Sequence, residues 1–253
     1  MLNKKDLENY RNLTNLNLGQ VERDYLQHIV LMLLYKIADR HLIFKGGTAL
    51  HKAYQLPRFS EDLDFTFCEE IAIPKLMNEL TKNLKTIGYD SSFEIKKDLK
   101  IGKKIRLKIN GPLYNGQENS VFYLILEISN REKVILDSQT KEIKPLYADI
   151  GPYLIKMMDL REVFAEKVRA IMTREAARDI FDMNFLLDKN IKPDFKLINE
   201  KLKYYGKSFD KKEFKQAIES KEKLWKKDLT PLLMKLPNYN TIKKRILKEF
   251  ECD

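Results

Sequence analysis

The chain has 253 residues, 43% hydrophobic and 33% charged, with 47 Lys and Arg against 37 Asp and Glu for a formal net charge of +10. That length supports one large domain or two modest ones, and the basic surplus points to a polyanionic partner such as nucleic acid, or to a lysine-rich proteome. Cys68 and Cys252 are too few and too far apart for a disulfide framework, and no Cys/His spacing suits zinc. The N-terminal MLNKKDLENY lacks an apolar segment, and no uncharged apolar run approaches about 18 residues, so a soluble cytoplasmic protein without a membrane partner is expected.

Residues 1–17 are polar and predict a short helix followed by a loop. From Leu18 the apolar positions Val21, Tyr25, Ile29, Met32, Leu33 and Ile37 recur every three to four residues, which predicts a largely buried helix to about Arg40. Leu42-Ile-Phe44 then reads as a short buried strand broken by Gly46-Gly47. Thr48 to Gln55 reads as a helix ended by Pro57, and Glu61 to Phe67 as a strand. Pro74 to Ile87 is a further helix, with proline at its start and Gly88 at its end. The next strands are predicted at 93–95, 101–109, 121–128 and 134–136, as a meander with Asn110-Gly-Pro and Asn115-Gly turns. Helices follow at 159–174, 176–187, 194–204, 210–225 and 240–249. The order of elements predicts an α+β fold: an α/β domain over 1–150, then a helical domain over 151–253.

Within the stretch LIFKGGTALHKAYQLPRFSEDLDFTF, residues 42–67, two features carry chemistry. Gly46-Gly47 between strand and helix permits positive φ and close approach of a ligand, while the N–H groups of the following helix and the Thr48 hydroxyl suit an anion. Asp62 and Asp64, two residues apart on a strand, point to one face, with Leu63, Phe65 and Phe67 on the other. Paired carboxylates repel unless a cation joins them, and a divalent metal is the usual answer. A solvated acidic strand face and an ordinary Gly-Gly turn are the plainer readings. The short spacing between the two features favours a phosphate cradle and a metal pair at one sheet edge, which nucleotidyl transfer requires.

The blocks Gly46-Gly-Thr-Ala-Leu50 and Arg58-Phe-Ser-Glu-Asp-Leu-Asp-Phe65 resemble the AbiEii-type toxin nucleotidyltransferases, members of the DNA polymerase β-like superfamily. Downstream, Phe164-Ala-Glu-Lys-Val-Arg-Ala-Ile-Met-Thr-Arg174 and Arg178-Asp-Ile-Phe-Asp182 resemble that family's Glu-Lys…Arg-Asp-x-x-Asp signature, so the likeness covers about residues 20–190. It implies a mixed sheet with flanking helices, completed by a helical C-terminal part. It also implies transfer of a nucleoside monophosphate from an NTP to an acceptor, with the tRNA 3′ end the leading candidate, Mg²⁺ or Mn²⁺ as cofactor, and a cognate antitoxin as partner. Asp62 and Asp64 would hold the metal, with Glu127 as a third ligand or general base. Gly46, Gly47 and Thr48 would cradle the phosphates, and Lys167 would contact them. Asp179 or Asp182 would support the lysine or the nucleotide, Asp179 being preferred. Threonine at position 48 departs from the serine common in the superfamily but keeps the hydroxyl.

Read without the resemblance, Lys167, Ala170 and Arg174 form a basic helix stripe, and Asp179 and Asp182 begin the next helix, where an aspartate is an ordinary first-turn dipole partner or simply pairs with Lys167 across the hairpin. Arg58 and Ser60 either steer a triphosphate or close a turn. Glu127 is the one acid on an apolar strand. His28 reads as structural, and His41 and His51 carry no assignment. The lysine runs of 96–108, with Lys211-Lys212, Lys226-Lys227 and Lys243-Lys244-Arg245, suit either a phosphate backbone or a solvated face, and the helical tail is the expected acceptor-docking region. A protein or small-molecule acceptor, or a non-catalytic nucleotide- or RNA-binding module, are the alternatives.

Overall fold

A computed structural model describes residues 1–38, 41–69 and 71–252. The chain falls into two compact units. The first comprises 1–54, 61–131 and 138–157, and the second comprises 55–60, 132–137 and 158–253.

The first unit holds helices α1 (Lys4–Leu13), α2 (Leu18–Ala38), α3 (Gly46–Tyr54) and α4 (Ile73–Thr86). It also holds strands β1 (Leu42–Lys45), β2 (Leu63–Phe67), β3 (Ser91–Leu99), β4 (Gly102–Ile109), β5 (Phe122–Ser129), β6 (Gln139–Ile143) and β7 (Tyr153–Met157). The seven strands form one sheet in the order β3-β4-β5-β2-β1-β7-β6. β2 runs parallel to β5 and β1 to β7, and the other neighbours are antiparallel. On the core face, alternate residues such as Leu63, Phe65, Ile105, Leu107, Leu124 and Leu126 are buried, the two-residue period of a strand with one face in the core. α2 packs on β5 and β7, α4 on β3, and α3 on β1, β2 and β6. The sheet is thus a mixed α+β arrangement.

The second unit is helical: α5 (Leu160–Thr173), α6 (Arg178–Asp188), α7 (Phe195–Lys203), α8 (Lys211–Ser220), α9 (Glu222–Leu229) and α10 (Tyr239–Glu249). Its core includes stacked Phe164 and Phe250, with Phe214 at 4.5 Å from the latter.

Several boundaries differ from the sequence expectation. Gly46-Gly47 does not interrupt the chain as a loop but forms the first turn of α3. Val134–Leu136 is not a strand: the Ile135 and Leu136 N–H groups donate to the Glu162 carboxylate, which supplies the acceptors a sheet neighbour would have given. The expected helix over 210–225 is two helices, because Lys221 turns inward to donate to the carbonyls of Ile171 and Ala217. The expected end of α2 near Arg40 lies outside the described residues. Among the described residues, no helix is long and apolar enough to cross a membrane.

Candidate active site

The residues singled out by sequence fall into two groups, one in each unit.

In the first unit, register decides the arrangement. Lys45 on β1 lies opposite Asp64 on β2, Asp64 opposite Glu127 on β5, and Glu127 opposite Lys104 on β4. Directly opposed residues project to the same face, so Lys104, Glu127, Asp64 and Lys45 form a lateral row across four adjacent strands. Asp62 stands just before β2 rather than within it, and both aspartates are half-buried. The Thr48 hydroxyl, fully buried, donates to the Asp62 carbonyl at 2.5 Å. That bond ties the first turn of α3 to the residue that opens β2.

Gly46 is required here for two reasons. Its φ of +74° lies in the left-handed region, and a Cβ at this position would sit 2.5 Å from Asp64 Oδ2. The aspartate carboxylate therefore lies in space left by the missing side chain. Gly46→Ala is expected to displace that carboxylate by about an ångström and reduce nucleotidyl transfer by roughly 100-fold, which transfer of labelled nucleotide checks.

The donor set suits a hard cation. Asp62 and Asp64 offer only carboxylate oxygens, and Mg²⁺ is commonly held by one or two carboxylates, with waters and substrate phosphates completing its shell. Among the described residues no group of three or more metal-ligating side chains is assembled. Glu127 is adjacent in register, but its Oε1 accepts a 2.6 Å bond from Lys104 Nζ. The Lys104 ammonium is held above its ordinary pKa, chiefly by that bond, with the charges of Asp62 and Asp64 adding to it.

In the second unit, α5, α6 and the segment 55–60 build a chain of ion pairs, buried except at its Arg174 end. Arg58 grips Asp182 with both arms of its guanidinium, Nε to Oδ1 at 2.6 Å and Nη2 to Oδ2 at 2.7 Å. Lys167 Nζ bridges Asp182 Oδ2 at 2.6 Å and Asp179 Oδ1 at 2.8 Å. Arg174 closes the chain with two 2.8 Å bonds to Asp179. The helix spacing explains the geometry: Lys167 and Arg174 are two turns apart on α5 and its end, while Asp179 and Asp182 are neighbours on α6. Both aspartates therefore engage Lys167. Arg58 also donates to the Phe59 carbonyl. Arg174 was legible as part of a basic stripe and of the downstream family block, with no partner assigned to it.

Asp179 and Asp182 are fully buried. Burial acts to raise the pKa of Asp179, but Lys167 and Arg174 outweigh it and hold the carboxyl far below the usual range. Burial opposes ionisation of Asp182 likewise, and Arg58 and Lys167 again prevail. Groups depressed in the folded state contribute stability that is complete above their unfolded pKa near 3.9 and is lost as pH falls through the lower folded values. Trp225, the single tryptophan, is buried in this unit. Its fluorescence melts are expected to be flat between about pH 7 and 5 and to shift steeply downward below about pH 4.

His28 Nδ1 lies 2.8 Å from the Tyr153 hydroxyl, and both His28 and His51 approach Asp24, at 3.7 and 3.6 Å. Lys52 donates to the same carboxylate at 2.5 Å. His41 lies 3.8 Å from Glu69.

Solved structures resemble the whole chain. The nucleotidyltransferase toxin MenT4 of Mycobacterium tuberculosis H37Rv is 19% identical with a TM-score of 0.70, covering 100% of this chain and 89% of its own. JHP933 from Helicobacter pylori is 21% identical with a TM-score of 0.63, covering 93% of this chain and 92% of its own. A second H. pylori structure, described as a nucleotidyltransferase, has the same identity and score over 93% and 95%. At such identities these likenesses establish the fold. None of the curated proteins matches the chain. The family model described as the nucleotidyl transferase AbiEii toxin of type IV toxin–antitoxin systems matches residues 33–250, most of the chain, and the protein belongs to that family.

Proposed function

We propose that this toxin-family nucleotidyltransferase moves a nucleoside monophosphate from an NTP to the 3′ end of tRNA, with Mg²⁺ or Mn²⁺ held by Asp62 and Asp64. The observation that carries the reading is the fit of Asp64 into the space left by Gly46, with Glu127 on the adjacent parallel strand. A side chain at 46 would close the place where a phosphate and a carboxylate-bound cation meet. The bound cation would neutralise charge on the triphosphate and lower the pKa of the attacking hydroxyl. The acceptor oxygen bonds to the α-phosphorus as the bond to the β-phosphate bridging oxygen breaks, and pyrophosphate leaves. The hydroxyl proton passes to Glu127 or to water. The first-turn N–H groups of α3, at Gly46 and Gly47, would receive the anion, and the Thr48 hydroxyl donates to the Asp62 carbonyl.

Lys167, with Asp179 and Asp182, is proposed to support nucleotide handling. The surplus of Lys and Arg over Asp and Glu favours a nucleic-acid acceptor over a small molecule. A cognate antitoxin would be the protein partner, as the family description of a type IV toxin–antitoxin system suggests.

Incubation with each labelled NTP, Mg²⁺ and total tRNA is expected to label tRNA. Label in protein or in a small molecule, with tRNA blank for all four NTPs, would sink the acceptor assignment while leaving the chemistry.

A further inference from the structure

In the row Lys104–Glu127–Asp64–Lys45, two carboxylates on adjacent strands stand between two lysines. Like charges directly opposed on a sheet repel, and here the chain itself supplies cations at both ends of the repelling pair. Lys45 is almost fully buried, a fixed part of the β1–β2 edge. Lys104 is different. Its side chain is 39% exposed and that of Glu127 is 45% exposed, although Nζ and Oε1 are 2.6 Å apart. Lys97 stands opposite Lys104 on β3 and adds positive charge at that end of the row. The ammonium also lies within the fields of Asp62 and Asp64.

An ion pair this open to water is weak and exchangeable. The Arg58–Asp182 fork, by contrast, is buried and shared with Lys167. A carboxylate held weakly by a lysine is one that a divalent ion can take over, at the cost of that one pair.

We propose that Lys104 is the resident counter-cation of the Asp64–Glu127 pair, and that it competes with a divalent cation for Glu127 and so sets the concentration at which that cation is held. This rests on the reading of Asp62 and Asp64 as cation ligands given above. Lys104 is a positioning residue, since it acts through Glu127, and it explains how the carboxylate row stays folded before a cation arrives.

The test is a Mn²⁺ titration of the full chain, followed by loss of the free-ion paramagnetic resonance signal, with Mn²⁺ alone as the probe. Lys104→Met is expected to bind Mn²⁺ about fivefold more tightly than wild type. Lys104→Arg, which keeps the cation, should match wild type. Glu127→Gln should bind more weakly, and the Lys104→Met/Glu127→Gln double variant no more tightly than Glu127→Gln alone. Unchanged or weaker binding by Lys104→Met overturns the proposal. So does an equal gain in the double variant, which would mean a general charge effect that bypasses Glu127. If wild type and Asp64→Asn bind Mn²⁺ identically, the cation-ligand reading fails and this inference with it. A failure confined to Lys104→Met, with Asp64-dependent binding intact, overturns the inference alone.

Discussion

Asp64→Asn is expected to reduce nucleotidyl transfer by about a thousandfold or more while leaving the melting temperature close to that of the wild type. The two halves of this result have separate causes. Asparagine has the shape of aspartate and fits the space beside Gly46, where the carboxylate oxygen occupies the position a Cβ would fill. The β1–β2 and β2–β5 pairings are backbone bonds and remain. Removing one charge relieves repulsion against Glu127 on the neighbouring strand but takes the opposed anion from the buried Lys45, and these opposed effects leave the net change in folding small. Transfer, in contrast, loses a cation ligand. Metal stabilisation of a phosphoryl transition state is worth several kcal/mol, and each 1.36 kcal/mol is tenfold in rate. Labelled-nucleotide transfer and thermal melts on the same preparation check both halves. Retained transfer would remove the role given to Asp64, and a large drop in melting temperature would show that the residue is structural instead.

The part of the site that was legible in the sequence is the part that local chemistry fixes. Gly46-Gly47 beside Thr48 announces a turn of unusual backbone, and Asp62-Leu-Asp64 in an alternating run announces two carboxylates on one face. Gly46 has the left-handed backbone so expected, while α3 starts at Gly46 and β2 at Leu63, so that Asp62 lies outside the strand. Glu127 was singled out through the resemblance, which implies a third carboxylate on a later strand; as the one acid on its strand it also reads as a plain surface glutamate. Its neighbours were not legible, because register depends on how distant strands pair. Lys104 looks like one more lysine in a basic run until β4 lies beside β5. The same limit hid the segments 55–60 and 132–137. They lie among residues of the first unit in sequence, yet they belong to the second. Ile135 and Leu136 mimic a strand in composition, and what holds their backbone is Glu162, a side chain from α5. β6, Gln139-Thr-Lys-Glu-Ile143, is an edge strand with one buried residue, too polar to announce itself. Lys167 and the two aspartates were legible as a group, but their mutual bonds exist only because α6 folds back along α5.

Asp182→Ala is expected to destabilise the second unit by about 3–5 kcal/mol, the cost of removing one partner from a buried ion pair. Arg58 would keep its charge with its Nε and Nη2 bonds to Asp182 gone, and its side chain is 2% exposed, so water cannot readily replace the carboxylate. Lys167 would lose one of its two anions and lean on Asp179 alone. For a chain of this size, that loss corresponds to a fall in melting temperature of roughly 10 °C, read by the fluorescence of Trp225. Arg58→Met/Asp182→Leu separates a need for the charges from a need for packing. Buried ion pairs replaced together by apolar side chains of similar volume often leave stability unchanged or improved. The double variant is therefore expected to recover most of the loss, with Lys167 still anchored by Asp179. A double variant as unstable as Asp182→Ala would mean that the chain of ion pairs is needed as such, through the hold of Asp182 on Lys167. A Trp225 melt unmoved by Asp182→Ala would mean that the Arg58–Asp182 fork contributes little to the stability of this unit.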